Sequence, residues 1–178
     1  MDLTERRVSG ETIFEGQIIK VGLDQAQLPN GKTVSREVVF HPGGVTVLAL
    51  DSDLTVTLVR QYRYPIERTT LELPAGKLDP GEDILQAAKR ELSEETGLEA
   101  GEWTYLGYEM ASPGFCNEVV HLYLARDLRR KESHPDEDEF LELIVMPFAE
   151  LVSKVMDGSI ADAKTVVLAL KTKTLLGL

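Results

Sequence analysis

In the stretch GKLDPGEDILQAAKRELSEETGL, Gly76 to Leu98, a Pro-Gly turn leads into apolar residues Ile84, Leu85, Ala88 and Leu92 at helical spacing. The pattern predicts a helix that stops at Gly97. On such a helix Glu91, Glu94 and Glu95 share one face, because positions three and four apart are neighbours. Like charges at that spacing destabilise a helix by roughly 0.2–0.5 kcal/mol per pair unless a cation sits among them. A divalent metal would remove the cost. Mg²⁺ takes hard oxygen donors, needs few protein ligands and keeps positions open for water and phosphate, and the nearby helix N-terminus favours anions. On these residues alone two readings stand: a solvated acidic face, or a site for a divalent cation.

The flanking segments place this helix in a mixed α/β chain, strand-rich at its start. ETIFEGQIIKVGLDQAQL and KTVSREVVF are β-rich runs around Pro29-Asn30-Gly31 and predict an N-terminal hairpin. GVTVLAL and LTVTLVRQY, separated by Asp51-Ser52-Asp53, predict a second. A short strand, TTLELPA, leads into Gly76. Beyond Leu98 come strands around WTYLGYEM, VVHLYLA and FLELIVMP, then amphipathic helices near FAELVSKVMDG and DAKTVVLALKTKTLL, the last capped by Asp162. The polar segment from Arg129 to Glu139 reads as an exposed loop.

Size and charge narrow the classes. With 178 residues, 43% of them hydrophobic, the chain can bury one sizeable core. Thirty Asp plus Glu against nineteen Lys plus Arg leave a formal charge of −11, which repels nucleic-acid backbones. No run resembles a signal peptide or a membrane span, and the single Cys116 excludes an internal disulfide. The expectation is a cytoplasmic protein with a small-molecule substrate and neither nucleic acid nor membrane as partner.

Gly76, Glu82, Arg90, Glu91, Leu92, Glu94, Glu95, Gly97 and Leu98 stand in the order G-x5-E-x7-R-E-U-x-E-E-x-G-U, U being a bulky aliphatic residue. This resembles the Nudix box without departure, and so many fixed positions make the match specific. RQYRYP from Arg60, LELPAGKLDPGE from Leu71, SPGFCNE from Ser112 and DEDEFLEL from Asp136 are similar to the corresponding segments of ADP-ribose pyrophosphatases within that family. Pro113, fifteen residues beyond Leu98, matches the proline that sets those enzymes apart from relatives acting on dinucleoside polyphosphates. The resemblance implies a Nudix-type α/β/α sandwich with a mixed β-sheet, here carrying an N-terminal antiparallel β extension over residues 1–42 before a Nudix domain over 43–178.

It also implies a chemistry: metal-dependent hydrolysis of the pyrophosphate of ADP-ribose to AMP and ribose 5-phosphate, with Mg²⁺ as cofactor and Mn²⁺ as its alternative. By the resemblance, Glu91, Glu94, Glu95 and the carbonyl of Ala75 hold the metal. The general base comes from the acidic run, Glu139 first and Glu137 second. Arg63 matches the family's phosphate contact, Arg36 is a similar candidate, and Glu72 and Gly114 join the substrate-binding set. Arg90 is expected to orient the box glutamates. His41, His121 and His134 lack ligand spacing.

In related enzymes the N-terminal strands cross to a second subunit, so a homodimer is expected. The alternatives are a pyrophosphatase for another nucleoside diphosphate sugar or NADH, and a regulator that binds ADP-ribose without cleaving it. An intact box counts against the regulator.

Overall fold

The computed structural model describes residues 1–131 and 140–178, which divide into two compact units. The first comprises Met1–Gly43 and Met110–Val119. In it β1 (Arg6–Glu15), β2 (Lys20–Gln27) and β3 (Thr33–Phe40) form an antiparallel sheet in the order β1-β2-β3. The expected hairpin is therefore a three-stranded meander. The run ETIFEGQIIKVGLDQAQL breaks at Gly16, whose N–H donates to the Ile19 carbonyl at 2.9 Å. The Asn-Gly turn does join β2 to β3, with φ of 83° at Gly31, a value that a side chain would disfavour. Only β2 shows a buried alternation, through Gly22, Asp24 and Ala26, whereas every residue of β1 is exposed.

The second unit comprises Gly44–Glu109 and Val120–Leu178. Its strands are β4 (Gly44–Ala49), β5 (Thr55–Arg63), β6 (Arg68–Glu72), β7 (Ala75–Lys77), β8 (Leu98–Met110), β9 (Val119–Arg130) and β10 (Glu142–Pro147). Its helices are α1 (Ile84–Thr96), α2 (Phe148–Met156) and α3 (Ala163–Leu176). One sheet runs β7-β4-β9-β8 and is mixed, since β4 is parallel to β9 and antiparallel to β7. The other, β10-β5-β6, is antiparallel.

Alternation along the central strands builds the layers. Val45, Val47 and Ala49 of β4, with Tyr123 and Ala125 of β9, pack with Ala87, Ala88 and Leu92 of α1. Leu48 and Leu50, with Leu122 and Leu124, point the other way and pack with Leu151 of α2 and Leu168 of α3. Strands covered on both faces read as continuous apolar runs, as GVTVLAL does. The expected mixed α/β sandwich is the fold observed.

Two expectations need correction. The segments flanking Asp51-Ser52-Asp53 do not form a hairpin: β4 and β5 lie in different sheets and share only the bridge between Leu50 and Val56. The partners of β4 are β7 and the distant β9, a pairing that local spacing cannot reveal. Arg129 and Arg130, expected in a loop, belong to β9. The remainder of that segment, residues 132–139, lies outside the described residues.

Asp162 caps α3 as expected. Its carboxylate accepts from the Thr165 N–H at 3.0 Å and from the Thr165 hydroxyl at 2.6 Å. That hydroxyl in turn accepts from the N–H of Leu73 at 2.9 Å, which ties the start of α3 to the chain just before β7. Thr165→Val would leave a buried N–H without its acceptor and is expected to destabilise the protein by about 1–3 kcal/mol. Thr165→Ser should retain most of the stability. Urea unfolding midpoints compare the two, and equal midpoints for Val and Ser would remove the tie from the account.

Candidate active site

α1 begins at Asp83, whose carboxylate accepts from the N–H groups of Leu85 and Gln86 at 3.0 and 3.1 Å. It ends at Gly97, where φ of 65° closes the helix as the sequence predicts. Its buried face carries Ala87, Ala88 and Leu92, and with them Glu91 and Glu95. Those carboxylates are buried because β7 crosses them with almost no side-chain bulk. A Cβ added to Gly76 would lie 1.9 Å from the Glu91 carboxyl, so any other residue would push that carboxylate from its place. The N–H of Ala75 donates to Glu95 Oε2 at 3.0 Å, which also fixes the Pro74–Ala75 peptide.

The cation that relieves crowding on this face is part of the chain. Arg90 Nη1 donates to Glu91 Oε1 at 2.8 Å and to Glu94 Oε2 at 3.1 Å. Its Nε and Nη2 grip both oxygens of Glu82 at 2.9 Å, and Nη2 also reaches the Lys77 carbonyl at 3.2 Å. The hydrogen bonds to Glu82 are the chief reason its acidity is pushed still further from the physiological range. One guanidinium faces three carboxylates, so the cluster keeps a net negative charge. Among the described residues no three acidic, His or Cys side chains are grouped so as to hold a metal ion by themselves. Buried carboxylates and residual negative charge nonetheless match the hard, few-ligand chemistry of Mg²⁺ or Mn²⁺. The chemistry of these donors therefore suits a divalent cation.

A second cluster lies in the same unit. Arg63, at the end of β5, donates through Nε and Nη2 to the two oxygens of Glu72 at 2.8 and 2.6 Å. Glu72 is 1% exposed and also accepts from the Thr70 hydroxyl and from Lys164 Nζ. Burial pushes its carboxyl upward, yet the Arg63 hydrogen bonds and the charge of Lys164 overcome this and hold it at about 2. The cluster borders a cavity of about 1210 Å³, whose wall also includes Arg60, Tyr62, Arg68 and Phe140. Arg60 is paired with Glu142.

The remaining sequence candidates fall elsewhere. Arg36 and Gly114 line one pocket of about 360 Å³ in the first unit, and Arg36 is bound there to both oxygens of Glu5 at 2.8 and 3.0 Å. Glu137 and Glu139 lie outside the described residues, as does His134. His41 Nδ1 accepts from the Gly43 N–H at 3.1 Å, and His121 Nδ1 is 2.9 Å from the Tyr105 hydroxyl, so both have structural partners. Sequence reasoning passed over Thr70 and Lys164. Lysine in the first turn of a helix, where the dipole disfavours a cation, was the available signal.

Glu72 gives the pH dependence a sign. Its carboxyl is held at about 2 in the folded protein against 4.5 for the unfolded chain, so its contribution is present above 4.5 and lost as pH falls towards 2. The full effect is on the order of 3 kcal/mol. Glu72→Gln should flatten the fall of melting temperature across that acid window, and an unchanged acid limb would contradict the assignment.

The family model described as the NUDIX domain matches residues 40–168. The chain is 43% identical to the methanol dehydrogenase activator of Bacillus methanolicus, over 92% of this chain and 89% of that one. It is 41% identical to an ADP-ribose pyrophosphatase of Bacillus subtilis (strain 168), again over 92% and 89%. A crystal structure of an ADP compounds hydrolase superposes with a TM-score of 0.87 at 25% identity, covering 99% of this chain and 97% of its own. Since the matched region runs from before β4 into α3 and takes in Gly76 with the acids beneath it, this chain belongs to the Nudix family.

Proposed function

We propose that this Nudix hydrolase cleaves the pyrophosphate of ADP-ribose with the help of a divalent metal, releasing AMP and ribose 5-phosphate. The observation that carries the reading is the acid cluster beneath Gly76, in a chain 41% identical to an ADP-ribose pyrophosphatase. Water adds to one phosphorus, the bridging P–O bond breaks, and the bridging oxygen leaves with the other phosphate. A bound Mg²⁺ or Mn²⁺ would neutralise the pyrophosphate and lower the pKa of the attacking water. Glu91, Glu94, Glu95 and the Ala75 carbonyl are its ligands in this reading, and Arg90 orients Glu91 and Glu94. Glu139, with Glu137 as second choice, takes the proton from water. Arg63 binds a substrate phosphate through the donors that Glu72 does not use, and Glu72 acts as its brace. Arg36 is a second candidate for a phosphate contact and Gly114 a further candidate substrate contact, both lining one pocket of the first unit.

Residues 1–42 serve in this reading as a dimer-forming extension to the Nudix domain of residues 43–178. Its support is β1, exposed along its whole length, with Val8, Ile13 and Phe14 at 62%, 56% and 55% exposure. A strand whose residues are all exposed in its own chain gains by packing on a second copy. No helix among the described residues is long and apolar enough to cross a membrane, which is consistent with work in the cytoplasm.

A second reading follows from the 43% identity to the methanol dehydrogenase activator: the same hydrolysis could serve to activate a dehydrogenase.

One set of assays separates these readings. Purified protein with Mg²⁺ should convert ADP-ribose to AMP and ribose 5-phosphate faster than it cleaves NADH, diadenosine polyphosphates or other nucleotide sugars. Faster cleavage of another member of the panel would reassign the substrate. Sedimentation at assay concentration should give a dimer, and a fully active monomer would discard that assembly. Acceleration of methanol dehydrogenase on adding the protein would support the second reading, and an unchanged rate would remove it.

A further inference from the structure

Lys164 is the second residue of α3, and its side chain is 13% exposed. The helix dipole and burial both oppose an ammonium group there. Two carboxylates hold it: Nζ donates to Asp162 Oδ1 at 2.8 Å and to Glu72 Oε2. Asp162 is itself fixed, since its other oxygen caps α3 through Thr165. Glu72 in turn receives Nε and Nη2 of Arg63. A continuous chain of contacts thus runs from the start of α3 through Lys164 and Glu72 to the Arg63 guanidinium, 40% exposed at the cavity wall.

We propose that Lys164 is a positioning residue for Arg63: by sharing the one negative charge of Glu72 it fixes the guanidinium plane and leaves part of its charge for a substrate phosphate. Stability alone gives a poor reason for this lysine, because well-packed apolar groups commonly replace buried ion pairs without loss. Held between Asp162 and Glu72, Lys164 pins one carboxylate oxygen while Arg63 engages both. Without the ammonium, the whole negative charge of Glu72 would fall to Arg63, leaving less of the guanidinium charge for a substrate. The inference rests on Arg63 as the phosphate contact in the reading above.

A double-mutant cycle on ADP-ribose turnover with Mg²⁺ tests it. Lys164→Met should raise KM about tenfold while kcat stays within about twofold. Lys164→Arg should restore most of the loss, since it keeps the charge. In an Arg63→Ala background, Lys164→Met should change KM by less than about twofold, because the group it positions has gone. An equal rise of KM in both backgrounds, a loss confined to kcat, or a parental KM for Lys164→Met would each overturn the positioning role. Lys164→Gln, which keeps a hydrogen-bond donor without the charge, takes the place of the methionine variant if that one fails to fold. A parent inactive on ADP-ribose overturns the substrate reading and this inference with it, whereas an active parent with an additive cycle overturns only the inference.

Discussion

Glu91 lies with its carboxyl against the bare Cα of Gly76, where an added Cβ would stand 1.9 Å away. That approach lets an α-helix present two carboxylates to a sheet edge instead of to solvent. It requires glycine in β7, small alanines beside the acids on α1, and a cation within reach. Arg90 supplies the cation and is itself anchored by Glu82, before the helix begins. The spacing of the box is therefore a spacing of partners: glycine over Glu91, Glu82 holding Arg90, and Arg90 holding Glu91 and Glu94.

The two charged clusters of this unit are balanced differently. Around Arg90, three carboxylates share one guanidinium, leaving net negative charge that suits a divalent cation. Around Glu72, Arg63 and Lys164 are matched by Glu72 and Asp162, a neutral set that can be buried. An incompletely compensated site recruits a charged ligand, while a compensated one fixes geometry. In the reading proposed above the acids take the metal, and Arg63, held in a fixed geometry by Glu72, faces a substrate phosphate.

Much of the helical structure was legible because its signals are local. The turn at Pro80-Gly81, the apolar positions of α1 and the stop at Gly97 are all written within the helix and its flanks. The same holds for Asp162 as the cap of α3. Strand partners were not legible, since β4 pairs with β9 across more than seventy residues and no turn marks the choice. The acids of the box could be read as a group, but not their burial, which depends on β7 passing overhead. Arg90 could be read as their partner because it sits on the same helix. Lys164 could not, because Glu72 is 92 residues away in the chain.

The central claim is that Glu91 and Glu95 are buried to hold a catalytic cation rather than to brace the fold. Glutamine keeps their size and at position 95 can still accept from the Ala75 N–H, but it removes the charge that would bind a metal. The direct measurement is kcat for ADP-ribose at saturating Mg²⁺ in Glu91→Gln and Glu95→Gln, beside melting temperatures in chelator. The account predicts turnover lower by about 10²–10⁴ in both, with the greater loss in Glu95→Gln and with melting close to the parent. Near-parental turnover in both variants, or inactivity accompanied by a large fall in the chelator melting temperature, would contradict it.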